Sequence, residues 1–245
     1  MTGASSGIGR AAALRFARAG WTVVASARNE AALATLAMEA KGLAGCIVSV
    51  PLDVTEAAVT RAAVARIEAD IGPIGRAILN AGTHAPLDVR RFDVAVFEQL
   101  FRLNVLGTAN CIAAVLPGML ARATGEIAIV ASAAGYRGLP TAAAYGASKA
   151  ALINMAEALK LDLAGTGVGV RLINPGFVRT PLTDRNPFPM PFLIDVETAA
   201  QRIFDGLAGD AFEITFPRRL TWILKLLRIL PYRLYFPLVR RLTKT

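Results

Sequence analysis

The sequence predicts an α/β fold, with a doubly wound parallel sheet covered by helices on both faces. Three observations predict it. Short runs apolar throughout alternate with segments of helical character along nearly the whole chain. A glycine-rich turn, Thr2-Gly3-Ala4-Ser5-Ser6-Gly7-Ile8-Gly9, stands immediately ahead of the first helical segment. The chemically suggestive residues fall just after the strand-like runs, where open parallel sheets hold their ligands.

Taken in order, residues 8–19 read as a helix closed by Gly20, and 22–27 as a buried strand. Residues 30–41 are helical and end at Gly42; 47–52 are a strand. Thr55 is expected to cap a helix running to about Ile71, with Glu56 beside the positive end of its dipole. Residues 76–79 form a short strand. Asp93 is placed to cap a long helix reaching Leu116. Residues 126–131 are a strand, 142–164 a helix, 168–173 a strand, 196–207 a helix and 212–216 a last strand.

The 245 residues, 54% hydrophobic and 18% charged, argue for one packed domain over residues 1–216 and against disorder. Net charge is +9, but eight of the basic residues lie after Glu213, where no acidic residue occurs, leaving about +1 on the body. A nucleic-acid groove on the body is therefore not expected. Cys46 and Cys111 follow no metal spacing and sit in apolar runs, so two buried free thiols in a reducing compartment are expected, and no metal site. No leader is read at the start, and no run of 18 uncharged apolar residues occurs.

Gly3, Gly7 and Gly9, with Ser5, Ser6 and Ile8 between them, suit a turn that brings backbone against a pyrophosphate at a helix N-terminus. Arg28 follows the strand 22–27 where a carboxylate would hold a ribose 2′-hydroxyl; an Arg there favours a 2′-phosphate and so NADP, with NAD as the alternative cofactor and a simply solvated Arg at a helix start as the plainer reading. Asp53, followed by Val54, could meet an adenine amino group or simply cap a helix. Asn80-Ala81-Gly82 follows residues 76–79 as either a cofactor-approaching turn or a plain strand end. Ser132 follows the strand 126–131. Tyr145 and Lys149, four apart, share a helix face. A phenol titrates near 10, so acid/base work at neutral pH calls for a lowered pKa, which a neighbouring ammonium promotes.

Together, TGASSGIG at 2–9, LNAG at 79–82, Asn104, Ser132, YGASK at 145–149 and Pro175-Gly176 with Thr180 resemble the short-chain dehydrogenase/reductase family over about residues 2–216. The resemblance implies a seven-stranded Rossmann sheet, a homo-oligomer and hydride transfer between NAD(P) and a carbonyl or alcohol. It implies Tyr145 as acid/base, Lys149 on the nicotinamide ribose, Ser132 orienting substrate and Asn104 supporting a proton relay. Pro175, Gly176, Val178 and Thr180 would border the nicotinamide.

The family's first strand precedes its glycine turn, and here only Met1 does. Each buried residue of such a strand contributes roughly 1.5–3 kcal/mol. The expectation is that the natural product starts upstream, with Met1 ending that strand. The segment 181–194 reads either as an apolar lid containing Phe188, Met190 and Phe192, which favours an apolar, lipid-like substrate, or as residues that simply pack on the core. Residues 217–245 form a basic, amphipathic tail. It is expected to be helical over 220–230, broken by Pro231 and Pro237, and suited either to an anionic membrane surface or to docking on the body or a partner subunit. The functional expectation is a cytoplasmic NADP-dependent oxidoreductase, peripheral on the inner face of the membrane. A 3-oxoacyl thioester reductase and an inactive membrane-associated binding protein are the alternatives. His84, the lone histidine, is read as a loop residue near the pocket.

Overall fold

The computed structural model describes residues 1–185 and 190–243. Six strands are present among them: β1 (Thr22–Ala27), β2 (Cys46–Pro51), β3 (Arg76–Leu79), β4 (Gly125–Val130), β5 (Val168–Pro175) and β6 (Glu213–Phe216). All pairings are parallel. They form a two-stranded sheet, β1-β2, and a four-stranded sheet, β3-β4-β5-β6. The seven strands implied by the resemblance are thus six, and the break falls between β1 and β3. Met1 and Thr2 span it: the Ser26 N–H donates to Met1 O at 2.8 Å and the Thr2 N–H to Ile78 O at 3.0 Å. Beyond these two residues lies an apolar slot of about 500 Å³, lined by Phe16, Val24, Val64, Ile67, Ala77 and Val115 among others.

Helices α1 (Gly7–Arg18), α2 (Glu30–Glu39) and α7 (Val196–Ala208) belong to one face, burying Leu14, Phe16, Leu33, Leu36, Ile203 and Leu207. On the other face lie α3 (Ala57–Asp70), α4 (Val94–Leu100), α5 (Gly107–Ala121) and α6 (Ala143–Asp162). They bury Val64, Ile112, Val115, Met119, Leu152 and Ile153. This two-sided coverage is why the strands are apolar on both faces rather than alternating.

Several expectations need correction. Thr55 does not cap α3: its N–H and hydroxyl both donate to Asp53, and Glu56 holds the cap position without a side-chain bond. Asp93 does cap, accepting from the Ala95 N–H at 2.8 Å. The long helix it starts contains a π-helical turn, Phe101–Leu106, between α4 and α5. The whole run Val94–Ala121 has the length and composition to cross a membrane, yet it carries buried Leu100, Asn104, Ile112 and Met119 as a core helix of the fold. Cys111 is buried as expected, but Cys46 is exposed at the start of β2. Among the described residues β2 pairs only with β1, so it stands at the edge of its sheet, with Cys46 at its exposed start.

The tail is more ordered than its prolines imply. It forms α8 (Arg218–Ile229) and α9 (Tyr232–Thr243). Pro231 starts α9 rather than breaking it, accepting from the Leu234 and Tyr235 N–H groups at 2.9 and 3.0 Å. Pro237 lies inside α9. Buried Tyr235 and Val239 dock the helix on both sides of that proline, which offsets the one backbone bond it cannot donate. Within the expected lid, Phe188 lies outside the described residues, while Phe192 is exposed.

Candidate active site

The glycine turn runs from Thr2, whose N–H is bonded to Ile78 O in β3, into the start of α1. Asn80 anchors it from across the sheet, its side-chain amide donating to Thr2 O at 3.3 Å and Gly3 O at 3.2 Å. In return the Thr2 hydroxyl accepts from the Asn80 and Ala81 N–H groups, both at 3.0 Å. Gly9 packs under this knot: a Cβ there would stand 2.3 Å from Gly3 O and 2.5 Å from the Asn80 amide nitrogen. No side chain fits, so the turn closes tightly only with glycine at that point.

Above the turn opens a cavity of about 440 Å³. Gly3, Ser5, Ser6, Gly7 and Ile8 line its floor; Arg28, Asp53, Val54, Asn80, Ala81, Gly82 and Thr180 form its walls. Ser6 stands at the N-cap of α1 without a side-chain cap bond, and the first turn of α1 carries no acidic residue. The positive end of that helix therefore faces the cavity without an acidic side chain of its own to neutralise it, which fits a diphosphate. Arg28 is exposed at the cavity wall. Burial pushes the Asp53 carboxyl up, but bonds from Thr55 and the nearby Arg28 and Arg102 outweigh this and hold it below its ordinary value. One Asp53 oxygen already serves Thr55, so the local-cap reading of this residue is realised beside any ligand role. The Val54 side chain is buried and packs where Gly107 leaves room for it.

The second half of the site adjoins the cavity at Gly82. A Cβ on Gly82 would sit 3.1 Å from the Asn104 side-chain oxygen and 3.5 Å from Lys149 Nζ. Asn104 is fully buried in the π-helical turn. Its oxygen accepts from the Thr83 N–H at 2.8 Å, and its amide donates to Thr83 O and Ser148 Oγ, both at 3.0 Å. Ser148 Oγ in turn donates to Tyr145 O at 2.7 Å. The π-helical turn thus supports the Tyr145–Lys149 stretch of α6 through one buried chain of bonds. The local alternative for Asn104, a helical Asn bonded only to its own helix, does not hold.

Lys149 is buried, donates to Val130 O at 3.0 Å and lies 5.8 Å from the Tyr145 ring centre. Burial lowers its pKa to about 8. Burial raises the Tyr145 pKa, with a hydrogen bond from Ser132 acting the other way. This corrects the expectation of a lowered phenol pKa: with the surroundings described here, desolvation is the larger effect and the phenol holds its proton. Ser132 Oγ accepts from the Ala134 N–H at 3.1 Å and reaches Pro175 O at 3.4 Å.

Thr180 closes the wall opposite, its methyl 3.2 Å from where a Gly7 Cβ would be. Pro175 ends β5 beside Ser132, Gly176 follows it, and Leu220 of α8 packs onto Gly176. Val178 is buried and bridges to Ile194, so its side chain belongs to the core rather than to the cavity wall.

Sequence reading missed three supports. Thr2 and Ser148 lie inside the motifs TGASSGIG and YGASK and were readable there as hydroxyls at fixed offsets. His84 stands edge-on to Tyr145, with ring centres 4.6 Å apart and planes at 86°, and burial holds its pKa below the ordinary value. Nothing in the local sequence around a lone histidine announces that contact.

Fold and site together define a nicotinamide-dependent oxidoreductase of the Rossmann type. The family model for short chain dehydrogenases matches residues 1–187, and the chain belongs to that family. An uncharacterized oxidoreductase of Myxococcus xanthus is 39% identical over 242 residues, covering 99% of this chain and 96% of that protein. A 3-oxoacyl-[acyl-carrier-protein] reductase of Thermotoga maritima is 33% identical over 214 residues, covering 87% and 85%. Among solved structures, a short-chain dehydrogenase of Sphingobium yanoikuyae in complex with NADPH aligns with TM-score 0.80 at 28% identity, over 89% of this chain and 86% of that one. One from Burkholderia phymatum in complex with NAD aligns with TM-score 0.84 at 26% identity, over 92% and 90%.

Proposed function

We propose that the protein is an NADP-dependent reductase or dehydrogenase that moves a hydride between nicotinamide and the carbonyl or alcohol of an apolar, lipid-like substrate. The observation that carries the cofactor choice is Arg28 at the cavity wall just beyond β1. A guanidinium there pairs with a 2′-phosphate and gives a bare 2′-hydroxyl no carboxylate partner. The NADPH-bound Sphingobium relative agrees, while the NAD-bound Burkholderia relative keeps NAD as the competitor to be tested.

In this reading Gly3, Ser5, Ser6, Gly7 and Ile8 would hold the diphosphate, with Gly9 closing the turn beneath them, and Asp53 with Val54 would border the adenine. Asn80, Ala81, Gly82, Pro175, Gly176 and Thr180 would bound the nicotinamide half, with buried Val178 packed behind them. The bound cofactor supplies the hydride. Tyr145 holds the proton that the developing alkoxide takes from its phenol oxygen. Lys149 holds a positive charge beside that phenol, Ser132 donates to the substrate oxygen, and Asn104 keeps the Thr83 and Ser148 ends of the network in register. The burial that raises the Tyr145 pKa favours the proton-donating form, and so reduction.

The Thermotoga relative favours a 3-oxoacyl thioester as a second substrate reading. An inactive binding protein is disfavoured by the intact Ser132, Tyr145 and Lys149. We place the protein in the cytoplasm as a homo-oligomer, with residues 1–216 as the catalytic unit, 181–194 as its lid and 217–245 as a tail toward the inner face of the membrane. The test is NADPH and NADH oxidation over a panel of apolar carbonyls and 3-oxoacyl thioesters, with Arg28→Ala. NADPH preference that collapses in the variant supports the reading; equal use of both cofactors by the wild type contradicts it.

A further inference from the structure

Helices α8 and α9 follow one another at the carboxyl end of the chain and are held to the body by few side chains. Leu220, Thr221, Tyr235 and Val239 are buried, and Leu224 packs on the core. A polar latch at Arg137, in the segment between Ser132 and Tyr145, adds to this hold. Its guanidinium donates to Leu227 O at 2.6 Å, Leu230 O at 2.7 Å and Arg228 O at 3.0 Å, closing the carbonyl end of α8. The same group stacks on the Tyr235 ring at 3.8 Å, and the Tyr235 hydroxyl donates to Gly138 O. Lys225 pairs with Glu213, which also accepts from Tyr136 and Asn174.

What the latch leaves outside is apolar. Trp222, Leu226 and Ile229 recur at helical spacing along α8 and are 63%, 60% and 77% exposed; Leu234, Leu238 and Leu242 do the same along α9. Monomeric soluble proteins seldom show an apolar face of this extent without a partner for it. Around it stand exposed Arg218, Arg219, Arg228, Arg233, Arg240 and Arg241, and no Asp or Glu occurs after Glu213.

We infer that the exposed side of α8 and α9 is a docking surface for an anionic phospholipid bilayer, the apolar stripes entering the interface and the arginines meeting the headgroups. The inference deepens the reading of a membrane-facing reductase and rests on it for its purpose. The two helices are latched to residues 136–138, so they hold the segment between two catalytic residues against the lipid phase from which an apolar carbonyl would come. Charge decides among occupants. A second copy of the same face would set its arginines against these, and the body outside the tail carries only about +1, with no acidic surplus to meet them. An anionic lipid surface satisfies both the apolar stripe and its basic border.

The test is flotation of the full-length protein with vesicles of phosphatidylcholine alone, or with about one third phosphatidylglycerol to supply the anionic surface. The wild type is expected to float with the anionic vesicles only, and less so as salt rises from about 0.1 to 0.5 M. Trp222→Ser/Leu226→Ser/Ile229→Ser removes exposed side chains and is expected to weaken binding by at least about 30-fold. Arg233→Gln/Arg240→Gln is expected to weaken it by roughly 20-fold. NADPH turnover on a water-soluble carbonyl should be unchanged in both variants. If turnover is absent throughout, the oxidoreductase reading fails while flotation still decides the docking surface. No flotation of the wild type, flotation undiminished in both variants, or a light-scattering dimer that the triple variant dissolves would each overturn it, the last by making a second copy the occupant.

Discussion

The cavity end of the sheet and the carboxyl-terminal helices α8 and α9 are built on different rules. At the cavity, Asn104, Ser148, Ser132 and Lys149 are buried, and each has a hydrogen-bond partner within the fold. At α8 and α9, a few buried side chains and the Arg137 latch make the attachment, and most apolar side chains face outward. An internally satisfied polar network fixes geometry, as a transferring proton requires. An apolar face left unsatisfied needs a partner from outside. The two regions meet in the segment 132–138, where Ser132 serves the first and Arg137 the second.

The comparison breaks most sharply at Gly9. Gly9→Ala sets a methyl 2.3 Å from Gly3 O, against backbone rather than a yielding side chain. The expected result is loss of measurable NADPH binding by fluorescence titration, with a drop in thermal stability of roughly 1–3 kcal/mol. The same substitution at exposed Leu242 should leave both untouched.

Lys149→Met separates stability from function. Holding Lys149 charged at neutral pH costs roughly 3 kcal/mol, since burial brings its pKa to about 8 from 10.5. Removing the charge also removes the bond to Val130 O, worth about 1 kcal/mol. Denaturant titration should therefore show a net gain of about 1–2 kcal/mol, while reduction slows by roughly 10²–10⁴-fold. The sign follows from the depressed folded pKa: the native state binds fewer protons between about 8 and 10.5, so stability rises with pH through that window. Activity moves oppositely, and kcat/KM for reduction should fall as Lys149 loses its charge above about pH 8.

Asn104→Ala leaves the Thr83 N–H, the Thr83 carbonyl and Ser148 Oγ without their buried partner. A loss of about 1–3 kcal/mol in stability is expected by thermal unfolding, with slower turnover from a loosened Tyr145 segment. The smallest effect belongs to the latch. Arg137→Ala should make α8 and α9 more susceptible to limited proteolysis while costing catalysis on a water-soluble carbonyl less than about 3-fold, because these part-buried contacts hold a terminal segment whose local opening is separate from global unfolding.

The sequence disclosed whatever depends on local chemistry at fixed spacing. The glycine turn, the Tyr145–Lys149 pair and Asn80 fall where their neighbours in the chain dictate, and the alternation of apolar runs placed all six strands. What stayed hidden depends on contacts between distant segments. The Cys46 run is apolar, and only the folded structure shows that its first residue is exposed on an edge strand. Pro237 reads as a helix breaker until Tyr235 and Val239 are seen docked around it. The edge contact of His84 with Tyr145 joins residues 61 positions apart in the chain, and the pKa of Tyr145 follows burial that no spacing encodes. The π-helical turn that lifts Asn104 toward Ser148 is a backbone adjustment within a run that reads as ordinary helix.

The central claim is that the Tyr145 phenol donates the proton while the cofactor delivers the hydride, and Tyr145→Phe tests it most directly. The ring and its contact with His84 stay; only the hydroxyl goes. NADPH binding by fluorescence should match the wild type, and single-turnover reduction of an apolar carbonyl should slow by about 10²–10⁴-fold. A variant that binds NADPH normally and still reduces the carbonyl at more than about a tenth of the wild-type rate would contradict the account, since a group contributing so little is not the proton donor.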